Sequence, residues 1–212
     1  MQRRKHVWLV VMILLLGLTA CLGQGGPYQE RFDEPGDWRV GDDADALGQV
    51  VDGNYDLLVK ADTSLIWTTA GKEFADATYQ VEATQVEGPL NNGYGMLFRV
   101  NDDRDDFYVF EISGDGYVWI GRYRNGGTDE VQPIVGEWWF ESDAINQGLN
   151  QLNLLRVEAE GANLLFYVND QEIGRITDDA FSKGDVGLMV ETMGVGGVRV
   201  QFDNFLVTPK MQ

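Results

Sequence analysis

The sequence predicts an all-β sandwich of two antiparallel sheets. Two observations predict it: short strand patterns recur at close, regular spacing between turn residues, and no segment holds a helical period of useful length. Thr78–Glu87 alternates, with Tyr79, Val81, Ala83 and Gln85 on one face. Gly93–Val100 is a second strand, rich in glycine and large apolar residues. Asp106–Ser113 and Tyr117–Arg124 flank Gly114-Asp115-Gly116, a hairpin signal because glycine accepts the positive φ such turns need. Leu152–Glu160, Leu164–Asn169 and Ile173–Thr177 read as a meander, turned at Gly161-Ala162-Asn163 and at Asn169-Asp170. Asp185–Glu191 and Val198–Val207 close the domain. Single helical turns are expected only at Asp143–Gln147 and Asp179–Ser182. The acidic clusters Asp42-Asp43-Ala44-Asp45 and Asp102-Asp103-Arg104-Asp105-Asp106 fall in expected loops.

A leader precedes this body. Arg3, Arg4 and Lys5 give a positive start, Val7–Ala20 is almost wholly apolar, and glycine-rich chain follows. That order of charge, apolar run and small residues is a secretory signal. The run is shorter than the about 20 residues a spanning helix needs. Leu18-Thr19-Ala20-Cys21 resembles a bacterial lipobox, whose cysteine is acylated and becomes the new N-terminus. The expected organisation is therefore a signal over 1–20, a lipidated Cys21 with a tether over 21–27, and one sandwich domain over 28–208. The expected location is extracytoplasmic, on a bacterial membrane, with the lipid as membrane partner.

Composition removes whole classes of chemistry. The chain carries a formal charge of −18, and its leader is basic, so the body is more acidic still. Such a surface repels nucleic-acid phosphates, so no nucleic acid is expected as a partner. The only histidine is His6, inside the leader, and the only cysteine is Cys21. The body has no imidazole or thiol for a catalytic triad, a zinc site or a disulfide. Any catalysis there must use carboxylates, tyrosines, lysines or a hard metal ion. The protein is expected to be a monomer.

A series of short motifs occurs in order along the body. Phe32-Asp33 precedes Trp38 and the Asp52-Gly53-Asn54-Tyr55 turn. Tyr79 to Thr84, Gly93 to Arg99, and Phe107-Tyr108-Val109-Phe110 follow. Asn153 to Val157 then precedes Phe166-Tyr167-Val168-Asn169, Gly184 to Leu188, and Phe202-Asp203-Asn204-Phe205. The series resembles the concanavalin A-like, LamG-like jelly-roll superfamily, especially bacterial domains related to the 3-keto-disaccharide hydrolase family. The resemblance implies a jelly-roll β-sandwich over nearly all of residues 28–208. It leaves function open among lectins, glucanases and adhesion modules, since one fold hosts many functions.

Three functions compete: a non-catalytic, carbohydrate-binding module, a glycoside hydrolase-like enzyme, and a protein–protein adhesion module. Glucanases of the superfamily carry a Glu-x-Asp-x-x-Glu strand. Here the nearest match, Glu141-Ser142-Asp143-Ala144-Ile145-Asn146, lacks the third carboxylate and reads as a polar connection. Glu82 and Glu111, without a matched second carboxylate, read as solvent-facing strand residues. For sugar binding, a flat ring packs on the apolar face of a pyranose while polar side chains orient its hydroxyls. Trp38, Trp67, Trp119, Trp138 and Trp139 are candidates, with Tyr94, Tyr108, Tyr117 and Tyr123. Core packing is the competing reading for each ring. The ligand residues expected are Trp67, Trp119 and Trp138, with Arg99 and Arg122 as donors to hydroxyls or a carboxylate. Along Tyr117–Tyr123 one face is core and the other a groove, and alternation alone leaves open which is which. Jelly rolls that bind carbohydrate often carry a structural calcium where first and last strands meet. Asp33 and Asp203 sit accordingly; the alternative is that Asp203 caps a turn. Carbohydrate binding is the expected function, with a glycan ligand.

Overall fold

The computed structural model describes residues 26–210, and the leader and Cys21 lie outside them. In chain order the strands are β1 (Tyr28–Glu30), β2 (Gly41–Asp42), β3 (Ala46–Val51), β4 (Asn54–Val59), β5 (Thr63–Thr69), β6 (Ala77–Glu87), β7 (Gly93–Asn101) and β8 (Asp106–Ser113). They continue as β9 (Tyr117–Arg124), β10 (Glu130–Pro133), β11 (Phe140–Glu141), β12 (Leu152–Glu160), β13 (Asn163–Val168), β14 (Gln171–Thr177), β15 (Asp185–Met193) and β16 (Val198–Pro209). A nine-stranded sheet runs β14-β13-β12-β6-β16-β4-β3-β2, with β1 added on β16. A seven-stranded sheet runs β10-β9-β8-β7-β15-β5, with β11 added on β9. Every pairing is antiparallel.

The two sheets bury themselves differently. Strand β6 alternates buried and half-buried residues along nearly its whole length, and β12 and β13 do the same. Their inward residues, among them Tyr79, Val81, Leu155 and Phe166, form the core with Tyr94, Phe98, Phe110, Ile120 and Leu188 of the other sheet. Their other face meets water, as a one-sided sheet should. Strands β7, β8 and β15 are buried on both faces. The outer face of the seven-stranded sheet therefore holds a second apolar cluster of Leu97, Val100, Phe107, Val109, Trp119 and Met189.

Turn chemistry follows the residues. Asn169 and Asp170 both take positive φ, which closes β13 onto β14 in a two-residue turn. The two expected helical turns are absent. Around Asp143 the backbone is held by the Ser142 Oγ bond to Ala144 N–H and by the reciprocal pairing of Asn146 with Asn153. Around Asp179, Asp178 accepts from Ala180 N–H, and Phe181 N–H donates to the Tyr108 hydroxyl. Side chains thus outcompete the helical bonds at both places. The one helical turn among the described residues is a 3-10 turn at Asn125–Gly127.

Candidate functional site

The open question along Tyr117–Tyr123 has a clear answer. Val118 and Ile120 enter the core between the sheets, while Trp119 and Tyr123 stand on the outer face. There the rings form a continuous row across the sheet. Trp67 of β5 packs on Phe107 of β8, with centroids 5.6 Å apart. Phe107 stacks on Tyr123 at 5.0 Å, and Tyr123 meets Trp119 edge-on at 5.8 Å. Trp138, from the connection between β10 and β11, stacks on Trp119 at 5.5 Å with planes 16° apart. Trp138 is 56 % exposed and Trp119 only 2 %. Trp138 therefore offers a flat ring to solvent, and Trp119 supports it from below.

The expected ligand residues divide in two. Trp67, Trp119 and Trp138 come together in this row, with Trp139 beside them. Arg99 and Arg122 do not join it. Arg99 is fully buried; its guanidinium donates to the Phe181 carbonyl at 2.9 Å and to Asp76 at 3.3 Å. Arg122 bonds Glu130 at 2.7 Å and Asp178 at 2.6 Å, and Asp178 also accepts from the Tyr108 hydroxyl. Both arginines turn inward at the end of the sandwich: Arg122 shares the core face of Val118 and Ile120, while Arg99, two residues after outward Leu97, is turned inward by a bulge at which its φ is 53°. Tyr94, Tyr108 and Trp38 are core residues.

Glu111 corrects the expectation of a solvent-facing residue: it is 1 % exposed on the outer face of β8. Register explains how. Glu111 lies opposite Trp119 on β9 and Gly95 on β7, while Glu191 of β15 lies opposite Gly93 on β7. With no side chains on that face of β7 at these two glycines, the carboxyls meet across the strand. A Cβ at Gly93 would stand 1.9 Å from Glu111 Oε2 and 3.2 Å from the Trp139 ring; one at Gly95 would stand 2.1 Å from the Phe110 carbonyl. No donor reaches Glu111 Oε2. Burial, then the Glu191 charge, raises Glu111 well above the usual carboxyl range. Burial also raises Glu191, while the hydrogen bond from Glu111 acts the other way. Both carboxyls therefore hold their protons more tightly than free glutamates do. Tyr123 is raised too, by burial and then by Glu191 and Glu111.

These shifts set a pH dependence. The folded pair binds protons more tightly than the unfolded chain, so its stabilisation is complete below about pH 4.3 and is lost as pH rises through the raised values. Glu111→Gln keeps the donor and removes the titration. Urea midpoints of this variant should fall less than those of the parent as pH rises, the gap growing by at most about 1.4 kcal/mol per pH unit. Parallel curves would contradict the assignment.

Beside the pair, Asn91, Ser113, Asp115, Tyr117, Trp139 and Met193 line a cavity of about 160 Å³. The Tyr117 hydroxyl donates to Glu141 at 2.9 Å, so Glu141 braces a groove wall. In the weak glucanase-like match, Ala144 and Ile145 are buried and Asn146 is bound to Asn153, as a structural connection requires. Asp203, expected together with Asp33 to hold calcium, is raised by burial first, with the carboxylates of Glu82 and Asp33 adding to it. Its Oδ1 accepts from Asn204 N–H. Among the described residues no three His, Cys, Asp or Glu side chains are grouped to hold a metal.

No family model and no curated protein matches the chain. Solved structures do. The carbohydrate binding module CBM66 from Bacillus subtilis is 20 % identical, with a TM-score of 0.53 over 85 % of this chain and 93 % of that one. The Bacillus licheniformis beta-glucanase is 13 % identical, with a TM-score of 0.62 over 88 % and 99 %. The catalytic domain of an endo-1,3-beta-glucanase (laminarinase) from Thermotoga petrophila is 11 % identical, with a TM-score of 0.60 over 86 % and 97 %. The fold is a jelly roll. At these identities the likeness is one of fold, and the jelly roll's function rests on its own side chains.

Proposed function

We propose that this protein is a non-catalytic carbohydrate-binding module whose glycan lies on the outer face of the seven-stranded sheet. The observation that carries this reading is the aromatic row ending in the exposed Trp138 ring, stacked on Trp119. A large exposed indole backed by a second one is a flat apolar platform, and the cavity against the neighbouring Trp139 adds the polar groups of Asn91, Asp115 and Tyr117 for hydroxyls. The jelly-roll neighbours, which include a carbohydrate binding module, support the reading.

Glu111 and Glu191, facing each other across the glycines of β7, are the carboxyls the hydrolase reading would use on this face. Glycosidase carboxyls stand about 5–5.5 Å apart when retaining and about 6.5–9.5 Å apart when inverting, with the sugar carbon or a water between them. Glu111, lying over Gly93, is 1 % exposed and so presents no carboxyl to a substrate, which favours binding. A panel of immobilised glycans should retain the protein, and Trp138→Ala should weaken retention at least about tenfold. Retention unchanged by this variant would place the ligand elsewhere.

The leader extends the proposal: acylated at Cys21, the module would be held outside a bacterial membrane. Cys21→Ser should shift the protein from the membrane to the soluble fraction, and continued tight membrane association would refute the anchor.

A further inference from the structure

Beyond glycan binding, we infer that the protein takes up a short extended peptide, apolar on one face and basic on the other, as a strand added to the free edge of β5. Strand β5 ends the order of the seven-stranded sheet and pairs only with β15. The bond from Ala70 N–H to the Val186 carbonyl sets the alternation along that pairing. Ser64, Ile66 and Thr68 turn their backbone groups to β15, and Leu65, Trp67 and Thr69 turn theirs away. Among the described residues no other segment's backbone bonds the N–H or carbonyl of these three. The nearest segment, at Arg39, donates to the Thr68 hydroxyl instead, at 3.1 Å.

The other free edges are guarded, as native sheets require. Strand β10 ends in Pro133, and its Glu130 holds Arg122 and Arg124. Strand β14 carries Glu172 and Arg175, has a bulge where β13 passes from Phe166 to Tyr167, and is covered at Gly174 by Val135. Strand β2 is two residues long. By contrast, the seven residues of β5 include no proline and no charge, and its pairing has no bulge. A cavity of about 500 Å³ runs beside it, between Ile66–Thr68 and Arg39–Asp43. Leu57 and Ile66, both packed on the core, give this cavity an apolar wall. Asp42, Asp43 and Asp45 also line it; the first is paired with Lys60 and the second with Arg39, while Asp45 has no ion pair among the described residues. An extended backbone repeats donors and acceptors at the spacing the open groups of Leu65, Trp67 and Thr69 need, so the occupant is a peptide strand. The carboxylates favour a basic one, and the chain's own formal charge of −18 opposes a second copy.

Fluorescence anisotropy of a labelled, alternating lysine–valine hexapeptide titrated with the purified protein tests this. The peptide should bind at least about tenfold tighter than its glutamate–valine counterpart. Two further peptides carry methyl groups on one or the other alternate set of backbone nitrogens. The set that faces β5 should lose binding at least about tenfold, and the set that points away should keep it. Leu65→Pro should weaken binding as much, because the Leu65 N–H faces away from β15 and proline spares that pairing. Asp45→Asn should weaken it about threefold, the scale of an exposed ion pair. Asp103→Asn, the same charge change on a distant exposed loop, should not. The methylated peptides are read on the parent protein, so their result stands even if Leu65→Pro fails to fold. Two methylated peptides that bind alike overturn the inference in favour of charge attraction alone, and so does unchanged binding by a folded Leu65→Pro variant. A parent that sediments as a dimer, and as a monomer with Leu65→Pro, gives the edge to a second copy and overturns it too. A hexapeptide that does not bind overturns it and leaves the glycan reading standing.

Discussion

Trp119→Ala should destabilise the fold by about 3–5 kcal/mol, the range for removing a buried tryptophan, and should abolish glycan retention. Trp119 is 2 % exposed and holds three contacts at once: Tyr123 edge-on, Trp138 face-on, and the apolar cluster with Val109 and Met189. Its Nε1 has no partner, so the loss is one of packing, with no hydrogen bond broken. Trp138→Ala is the necessary contrast. That ring is 56 % exposed, so its removal should change stability by no more than about 0.5 kcal/mol, as at most surface positions. Both variants should lose glycan, one because the platform's support is gone and the other because the platform is. Denaturant unfolding and glycan retention on the same preparations separate the two effects. Equal destabilisation by both substitutions would contradict the division of roles.

Arg99→Ala should cost a similar about 3–5 kcal/mol, by a different route. The guanidinium is fully buried and bonds the Phe181 carbonyl and Asp76. Asp76 in turn accepts from Gly161 N–H, so Arg99 ties β7 to the segments before β6 and between β12 and β13. Deleting the cation leaves a carboxylate and a carbonyl short of a donor and opens a cavity. Arg99→Met restores most of the volume but neither bond, and should recover only the cavity part of the loss. Neither variant should alter glycan affinity in the folded fraction, because Arg99 faces away from the aromatic row. A selective loss of affinity without a loss of stability would return Arg99 to the ligand site.

Most of the nine-stranded sheet was readable in the sequence because each of its long strands has one wet face. The alternation of Thr78–Glu87 is the burial alternation of β6, and Asn169-Asp170 sits where two consecutive positive φ values were needed. The seven-stranded sheet was harder for the same physical reason reversed. A strand buried on both faces carries no period-two signal, so Gly93–Val100 reads as a strand without a sided pattern. That ambiguity hid which way Trp119 points and placed Arg122 in the groove; Arg99 was placed there because the bulge that turns it inward leaves no trace in the alternation. The short strand β5 was missed, and with it the partner that sets Trp67 on the sheet edge.

The carboxyl pair was invisible for another reason. Glu111 and Glu191 lie on strands far apart in sequence that meet only across β7. The trace that was present is Gly93-x-Gly95, two glycines on one face of a strand. A strand that gives up side chains at alternate positions marks a close approach from its neighbours or a ligand. Reading those glycines as a gap to be filled would have pointed to β8 and β15.

The central claim is that glycan lies on the outer face of the seven-stranded sheet. Its most direct measurement is indole N–H chemical-shift mapping by NMR during titration with the glycan retained most strongly. The largest shifts should fall on Trp138, Trp119 and Trp67, with Trp38 in the core unmoved. Shifts confined to the outer face of the nine-stranded sheet or to loop tips, with these three indoles unchanged, would contradict it.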